Sequence, residues 1–194
     1  MLAETKHNLR RLLDFSGRDT QPTFWWYVLF VFLLNLAVWT VMIVPVVGDL
    51  MNSMMAAAQT GDEAAIAAAM GVELGEMVES MLWMGMVATL LNVALLAAAF
   101  TRRLHDSNLS GWWGLLPLGL QAAATWYTST RIDDLKALMG QMMNVADPQA
   151  SMAAQSQMST DSLIGWLPII ALVVLGIRKS TAGPNRYGEV PARL

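Results

Sequence analysis

Phe24-Trp25-Trp26-Tyr27-Val28-Leu29-Phe30-Val31-Phe32-Leu33-Leu34-Asn35-Leu36-Ala37-Val38-Trp39-Thr40-Val41-Met42-Ile43-Val44-Pro45-Val46-Val47 runs for 24 residues without a charged side chain. As a helix it reaches about 36 Å, enough to cross a hydrocarbon core of roughly 30 Å with some tilt. It is too long for a signal-peptide core, and no small-residue cleavage site follows it, so it reads as a retained first transmembrane helix. Working outward, three further apolar runs follow: Met81–Phe100, broken only by Gly85, Thr89 and Asn92; Trp112–Tyr127; and Leu163–Ile177. Fifteen residues of helix span only about 23 Å. The last two runs must therefore extend into their flanks or sit where the bilayer is thin, the competing reading being a soluble helical core. The whole chain weighs against that alternative: 194 residues are 55% hydrophobic and 14% charged, where soluble domains carry about a quarter charged residues. Mean hydropathy is +0.44.

The net charge of −3 hides a sorting of signs. Lys6, Arg10, Arg11 and Arg18 precede the first run, Arg102 and Arg103 follow the second, and Arg178, Lys179, Arg186 and Arg193 follow the fourth. Residues 48–80 hold no Lys or Arg but six acids, Asp49, Asp62, Glu63, Glu73, Glu76 and Glu79. Residues 128–162 hold only Arg131 and Lys136 against four aspartates. Ten of twelve basic residues thus fall on one side of a four-span chain, as the positive-inside rule expects. Trp25–Trp26, Trp112–Trp113, Trp126, Tyr127 and Trp166 sit at span ends, like interfacial aromatic belts. The expected fold is an all-α polytopic membrane domain over residues 1–194. It has a cytoplasmic arm (1–22), transmembrane helices at 24–47, 81–100, 112–127 and 163–177, two helical outer (periplasmic) segments at 48–80 and 128–162, and a cytoplasmic tail (178–194).

Within the outer segments, Thr60-Gly61-Asp62-Glu63 has the form of a capping box, opening an alanine-rich helix that stops at Gly71. Ile132, Leu135, Met139 and Met142 form one stripe of an amphipathic helix. Asp147–Pro148 should break that helix, and the polar run to Ser159 reads as a loop. Both halves carry Trp-Trp at the start of their first span, Met-x-x-Met-Met beyond it (Met51, Met54, Met55; Met139, Met142, Met143) and a basic pair after the second. Two parallel-repeat hairpins would produce this echo, and so would charge sorting and aromatic belts without duplication.

Three segments converge on the basic side: Phe15-Ser16-Gly17-Arg18 leading to Phe24-Trp25-Trp26; Arg102-Arg103-Leu104-His105-Asp106 leading to Ser110-Gly111-Trp112-Trp113; and Gly183-Pro184-Asn185-Arg186-Tyr187-Gly188. With these motifs the chain resembles the family called domain of unknown function 805, small bacterial inner-membrane proteins. Gln21 and Thr23 stand where its members tend to carry arginine and glutamate, Asn108–Leu109 stands where they tend to carry Gly-Arg, and the long outer segments look like insertions. The resemblance implies a four-helix fold in the bacterial inner membrane with both termini cytoplasmic, and no established activity.

The candidate site on the basic side comprises Arg18, Arg102, Arg103, His105, Asp106, Asn185, Arg186 and Tyr187. Guanidinium forks suit phosphate, so a lipid headgroup or a soluble anion is one reading. Topology anchors, with Asp106, Asn185 and Tyr187 tying loop to tail, is the other. Arg102 and Arg103 point about 100° apart on a helix, so only one is expected to face the bundle axis, the other reaching headgroups. At mid-membrane, Asn35, Asn92 and Gln121 lie on different spans, and since lipid cannot satisfy an amide they should face one another or a small wet cavity. No Asp, Glu, Lys, Arg or His lies in any predicted span, which counts against a proton-coupled pump. Ten of the 15 methionines lie in the outer segments, where thioethers suit Cu(I) or simply adaptable packing. No catalytic residue, metal site, cofactor or nucleic-acid surface is implied. The leading function is a non-enzymatic membrane accessory or scaffold acting through its charged cytoplasmic face, with the bilayer, anionic headgroups, another membrane protein or a second copy as partners. The runner-up is a small transporter or a lipid- or anion-binding protein using the mid-membrane amides.

Overall fold

A computed structural model describes residues 1–61, 63–142 and 147–191, with backbone alone at 57, 60, 63–74, 76 and 82. Asp62 of the capping box, Met143 of the second methionine cluster and Arg193 of the tail lie outside the described residues. The described chain is helical: α1 (Leu2–Arg10), α2 (Gln21–Thr60), α3 (Glu63–Asp106), a 3-10 turn (Gly111–Gly114), α4 (Leu115–Ser129), α5 (Ile132–Met142) and α6 (Pro148–Gly176). Among the described residues three helices are long and apolar enough to cross a membrane, over Gln21–Ala56, Met77–Asp106 and Pro148–Gly176. The run at 112–127 instead becomes the 3-10 turn followed by the 15-residue α4.

Helix boundaries depart from the hydropathy boundaries in a consistent direction. Helix α2 does not end where apolarity ends at Val47, but continues to Thr60. Helix α3 passes through Gly71 without a break, so the expected stop there is corrected. Methionine, alanine and glutamine are good helix formers and carry the helix on after the hydrophobic run is spent. The amphipathic helix α5 ends at Met142, before Asp147–Pro148 as expected, but Pro148 opens α6, so the expected loop to Ser159 is helical. The Asp147 carboxylate accepts the Ala150 N–H at 3.0 Å, and proline at the first helical position loses no hydrogen bond.

Two compact units divide the chain. The first comprises Met1–Asn35, Ala88–Ala124 and Gly165–Leu194; the second comprises Leu36–Val87 and Thr125–Ile164. The first holds a core of Phe24, Tyr27, Val31, Ala99, Phe100, Leu104 and Leu175. Phe24, Tyr27 and Val31 lie on one face of α2 at three- and four-residue spacing, as an inward stripe must. In the second unit α5 buries Leu138, flanked by half-buried Ile132, Leu135, Met139 and Met142, and Asp133 and Asp134 occupy its first turn. There Tyr127 donates to Asp161 at 3.1 Å, and Arg131 pairs with the same carboxylate at 3.0 Å.

The C-terminus of α3 is closed by a Schellman motif that aims the site. Leu109 N–H donates to Leu104 O at 2.9 Å and Asn108 N–H to His105 O at 3.0 Å. Asn108 takes φ +58°, the left-handed region that this motif needs and that asparagine tolerates best after glycine. Leu109 then packs back onto the core cluster that contains Leu104.

Candidate functional site

The last turn of α3 carries Arg102, Arg103 and Asp106, each almost wholly buried inside the first unit. Both arginines therefore point inward, correcting the expectation that one would reach headgroups. The arm before α2 covers one and the tail after α6 covers the other. Arg102 Nε donates to Asp19 Oδ2 at 2.7 Å and Nη2 to Asn8 Oδ1 at 2.6 Å, while Nη1 reaches the carbonyls of Arg11 and Asp14. Asn8 is oriented for this because its amide N–H donates to Glu4 O, one turn back in α1, at 2.9 Å. The other oxygen of Asp19 lies 3.1 Å from His7 Nε2, and Asp19 N–H donates to Arg102 O at 3.1 Å.

Arg103 Nε donates to Gly176 O at 2.9 Å and Nη1 to Asp106 Oδ2 at 2.7 Å, and Nη2 reaches Arg178 O. Arg18 meets the other Asp106 oxygen, with Nε at 3.2 Å and Nη2 at 3.0 Å. Its remaining N–H groups donate to the tail carbonyls of Thr181, Gly183 and Gly188 at 3.0, 2.9 and 3.2 Å. Three buried guanidinium groups thus share two carboxylates, and Asn8, Ser180 and main-chain carbonyls accept from their other nitrogens. Breaking one partner out of such a buried set costs about 3–5 kcal/mol, because the other charge is left uncompensated.

The tail is tied down by the motif noted in the sequence. Asn185 and Gly188 exchange backbone hydrogen bonds at 3.1 and 3.0 Å, and Asn185 Oδ1 accepts Tyr187 N–H at 2.9 Å. Asn185 Nδ2 donates to His105 O at 2.9 Å. The Tyr187 ring stacks on His105, centroids 3.7 Å apart and planes within 6°. His105 Nδ1 lies 3.1 Å from Gly17 O, so that nitrogen carries the proton; Gly17 presents its carbonyl there at φ +81°, where a side chain would be strained. Arg186 lies over Tyr187 at 4.8 Å and donates to Asn108 O at 3.2 Å.

All eight residues of the predicted cluster are therefore brought together, in two layers. Arg18, Arg102, Arg103 and Asp106 form a closed inner layer; His105, Asn185, Arg186 and Tyr187 form an outer one, with Arg186 exposed. Sequence reasoning missed Asn8, Asp14 and Asp19, which complete the Arg102 half. The available signal was Asp19 directly after Arg18, one of three acidic residues (with Glu4 and Asp14) in an arm whose four Lys and Arg residues need partners. At the arm's surface, Ser16 first and then Arg11 hold the Asp14 carboxyl well below its usual range.

The amides behave differently. Asn35 and Asn92 bond reciprocally, Nδ2 to Oδ1 at 2.8 and 3.3 Å, and Asn35 Nδ2 also donates to Val31 O at 2.7 Å. Gln121 does not join them there but reaches Thr89 Oγ1 at 3.4 Å. Met51, Met54 and Met55 are exposed on α2 or nearly so. Among the described residues no group of three His, Asp or Glu side chains is placed to hold a metal ion.

A family model described as "Protein of unknown function (DUF805)" matches residues 12–189, nearly the whole chain. No curated protein and no solved structure matches it.

Proposed function

The chain belongs to the DUF805 family of proteins of unknown function, and on that premise we propose that it is a four-span protein of the bacterial inner membrane with both termini cytoplasmic. It acts there as a non-enzymatic accessory or scaffold. The fourth crossing is made by the 3-10 turn with α4, whose combined rise of roughly 30 Å matches a hydrocarbon core. The orientation follows from charge: the first unit holds ten of the twelve Lys and Arg residues and the second only Arg131 and Lys136.

The observation that carries the scaffold reading is the saturation of the arginine cluster. A phosphate site needs open guanidinium donors, whereas those of Arg18, Arg102 and Arg103 are spent on Asp19, Asp106, Asn8 and main-chain carbonyls. The cluster is suited to holding arm, α3 end and tail as one rigid face that displays Trp112, Arg178, Lys179 and Arg186. The amide alternative is weaker, since Asn35 and Asn92 satisfy each other.

Photo-crosslinking in cells tests this. A benzoyl-phenylalanine at exposed Trp112 or Arg186 should yield one discrete protein adduct, and the same probe at exposed Trp83 of α3 should yield none. No adduct from either of the first two positions would remove the scaffold reading. Reporter fusions after Arg103 and at the tail should be cytoplasmic, and those near Gly61 and Met152 external; one reversal would remove the topology.

A further inference from the structure

Helix α1 has a buried side and an exposed one. Thr5 and Asn8 are turned inward, where Asn8 grips Arg102. Leu2 and Leu9 of the helix are exposed at 82% and 40%, and Leu13 in the turn that follows it at 89%. At 100° per residue Leu2 and Leu9 fall about 20° apart on α1, with Lys6 and Arg10 to one side of them, and Leu13 lies in the turn just after the helix. Lys6 and Arg10 are exposed and make no ion pair among the described residues, unlike Arg11, which is held by Asp14. The result is an exposed leucine pair bordered by two cations that make no ion pair among the described residues, with a third exposed leucine in the next turn.

We propose that this side of α1 and the turn after it lie on the anionic phospholipid headgroups of the leaflet at the arginine end of α3, Leu2, Leu9 and Leu13 entering the acyl boundary and Lys6 and Arg10 pairing with phosphate. Charge complementarity picks a negatively charged surface. The exposed leucines pick a lipid one, because a basic helix with an apolar side partitions into the headgroup–acyl boundary. Position agrees. Asn8, His7 and Asp19 fix α1 against the last turn of a membrane-length helix, and an arginine pair ending such a helix sits at headgroup level. The buried arginines do not take part: the phosphate contact moves to two cations that the inner cluster leaves free.

This inference rests on the membrane reading above, and one experiment separates the two. The chain has no cysteine, so Leu13→Cys is a unique label site. The full chain carrying an environment-sensitive fluorophore there is placed in nanodiscs of phosphatidylcholine alone or with one-third phosphatidylglycerol. The anionic discs should blue-shift the emission and protect it from iodide. Lys6→Gln with Arg10→Gln should weaken that protection, by about fivefold for each charge removed near an anionic surface. Lys6→Arg with Arg10→Lys should keep it, and soluble glycerol phosphate added to detergent-solubilised protein should not reproduce it. Neither exposed cation touches the inner cluster, so tryptophan emission should stay that of the parent in both variants. Equal quenching in both disc types, or protection that survives the neutral double variant, would overturn the inference while leaving the membrane reading intact. A chain that fails to enter discs at all would overturn both.

Discussion

Asp106→Asn is the sharpest perturbation of the cluster, because it keeps the side-chain shape and removes one charge that serves two arginines. In the native fold Asp106 accepts Arg18 at 3.2 and 3.0 Å through one oxygen and Arg103 at 2.7 Å through the other. After the change three buried guanidinium groups face Asp19 alone. Removing a partner from a buried ion pair costs about 3–5 kcal/mol, and two stranded charges place this case in the upper half of that range. At roughly 2–4 °C per kcal/mol for a chain of this length, the midpoint of thermal unfolding should fall by about 8–20 °C. Tryptophan fluorescence of the protein in nanodiscs reads the midpoint. Trypsin cleavage after Arg186 should accelerate in parallel, since Arg18 then holds the tail less firmly. Replacing the whole set, Arg18→Met and Arg103→Met with Asp106→Leu, should recover much of the loss, because no charge is left unpaired. A fall below about 4 °C for Asp106→Asn, little more than 1 kcal/mol, would mean that the guanidinium groups are hydrated, and the account of a closed cluster would be refuted.

Smaller effects follow elsewhere. Asn35→Leu should destabilise by about 0.6 kcal/mol and at most about 1.7, the range for interhelical hydrogen bonds in membranes; Asn35→Leu with Asn92→Leu should cost less, and a double-mutant cycle with zero coupling would contradict the reciprocal bond. Gly111→Ala should cost about 1–3 kcal/mol by overpacking, since its Cβ would stand 2.7 Å from Thr101 Cγ2 and 3.3 Å from His105 Nε2; an unchanged midpoint would place the 3-10 turn farther from α3. The depressed Asp14 carboxyl contributes order to the arm that is present above the ordinary value of 3.8 and lost as pH falls through the folded value. Amide exchange at Ser16, whose N–H donates to Asp14 at 3.0 Å, should therefore accelerate in acid below that value, and in Asp14→Asn it should already be fast at neutral pH.

What the sequence determined by itself were quantities that depend on short stretches: that the chain is helical and apolar enough to cross a membrane, where its basic residues are sorted, and which motifs mark the family. Hydropathy reports the desolvation of a local run, and charge sorting is a sum over segments; neither needs a contact map. Helix length was less legible, because the forces that end a helix differ from those that end an apolar run. Helices α2 and α3 outlast their hydrophobic stretches, and α6 begins at Pro148, well before its own. Partner choice belonged to the tertiary structure alone. Arg102 and Arg103 are adjacent, yet one is claimed by Asn8 and Asp19, the other by Asp106, Gly176 and Arg178. Most of these partners lie more than seventy residues away, in arm and tail, and which side chains meet there is set by how the ends of α2, α3 and α6 pack. The same packing puts both arginines inside, since a charge can be buried only where the fold delivers its counter-charge and hydrogen-bond acceptors.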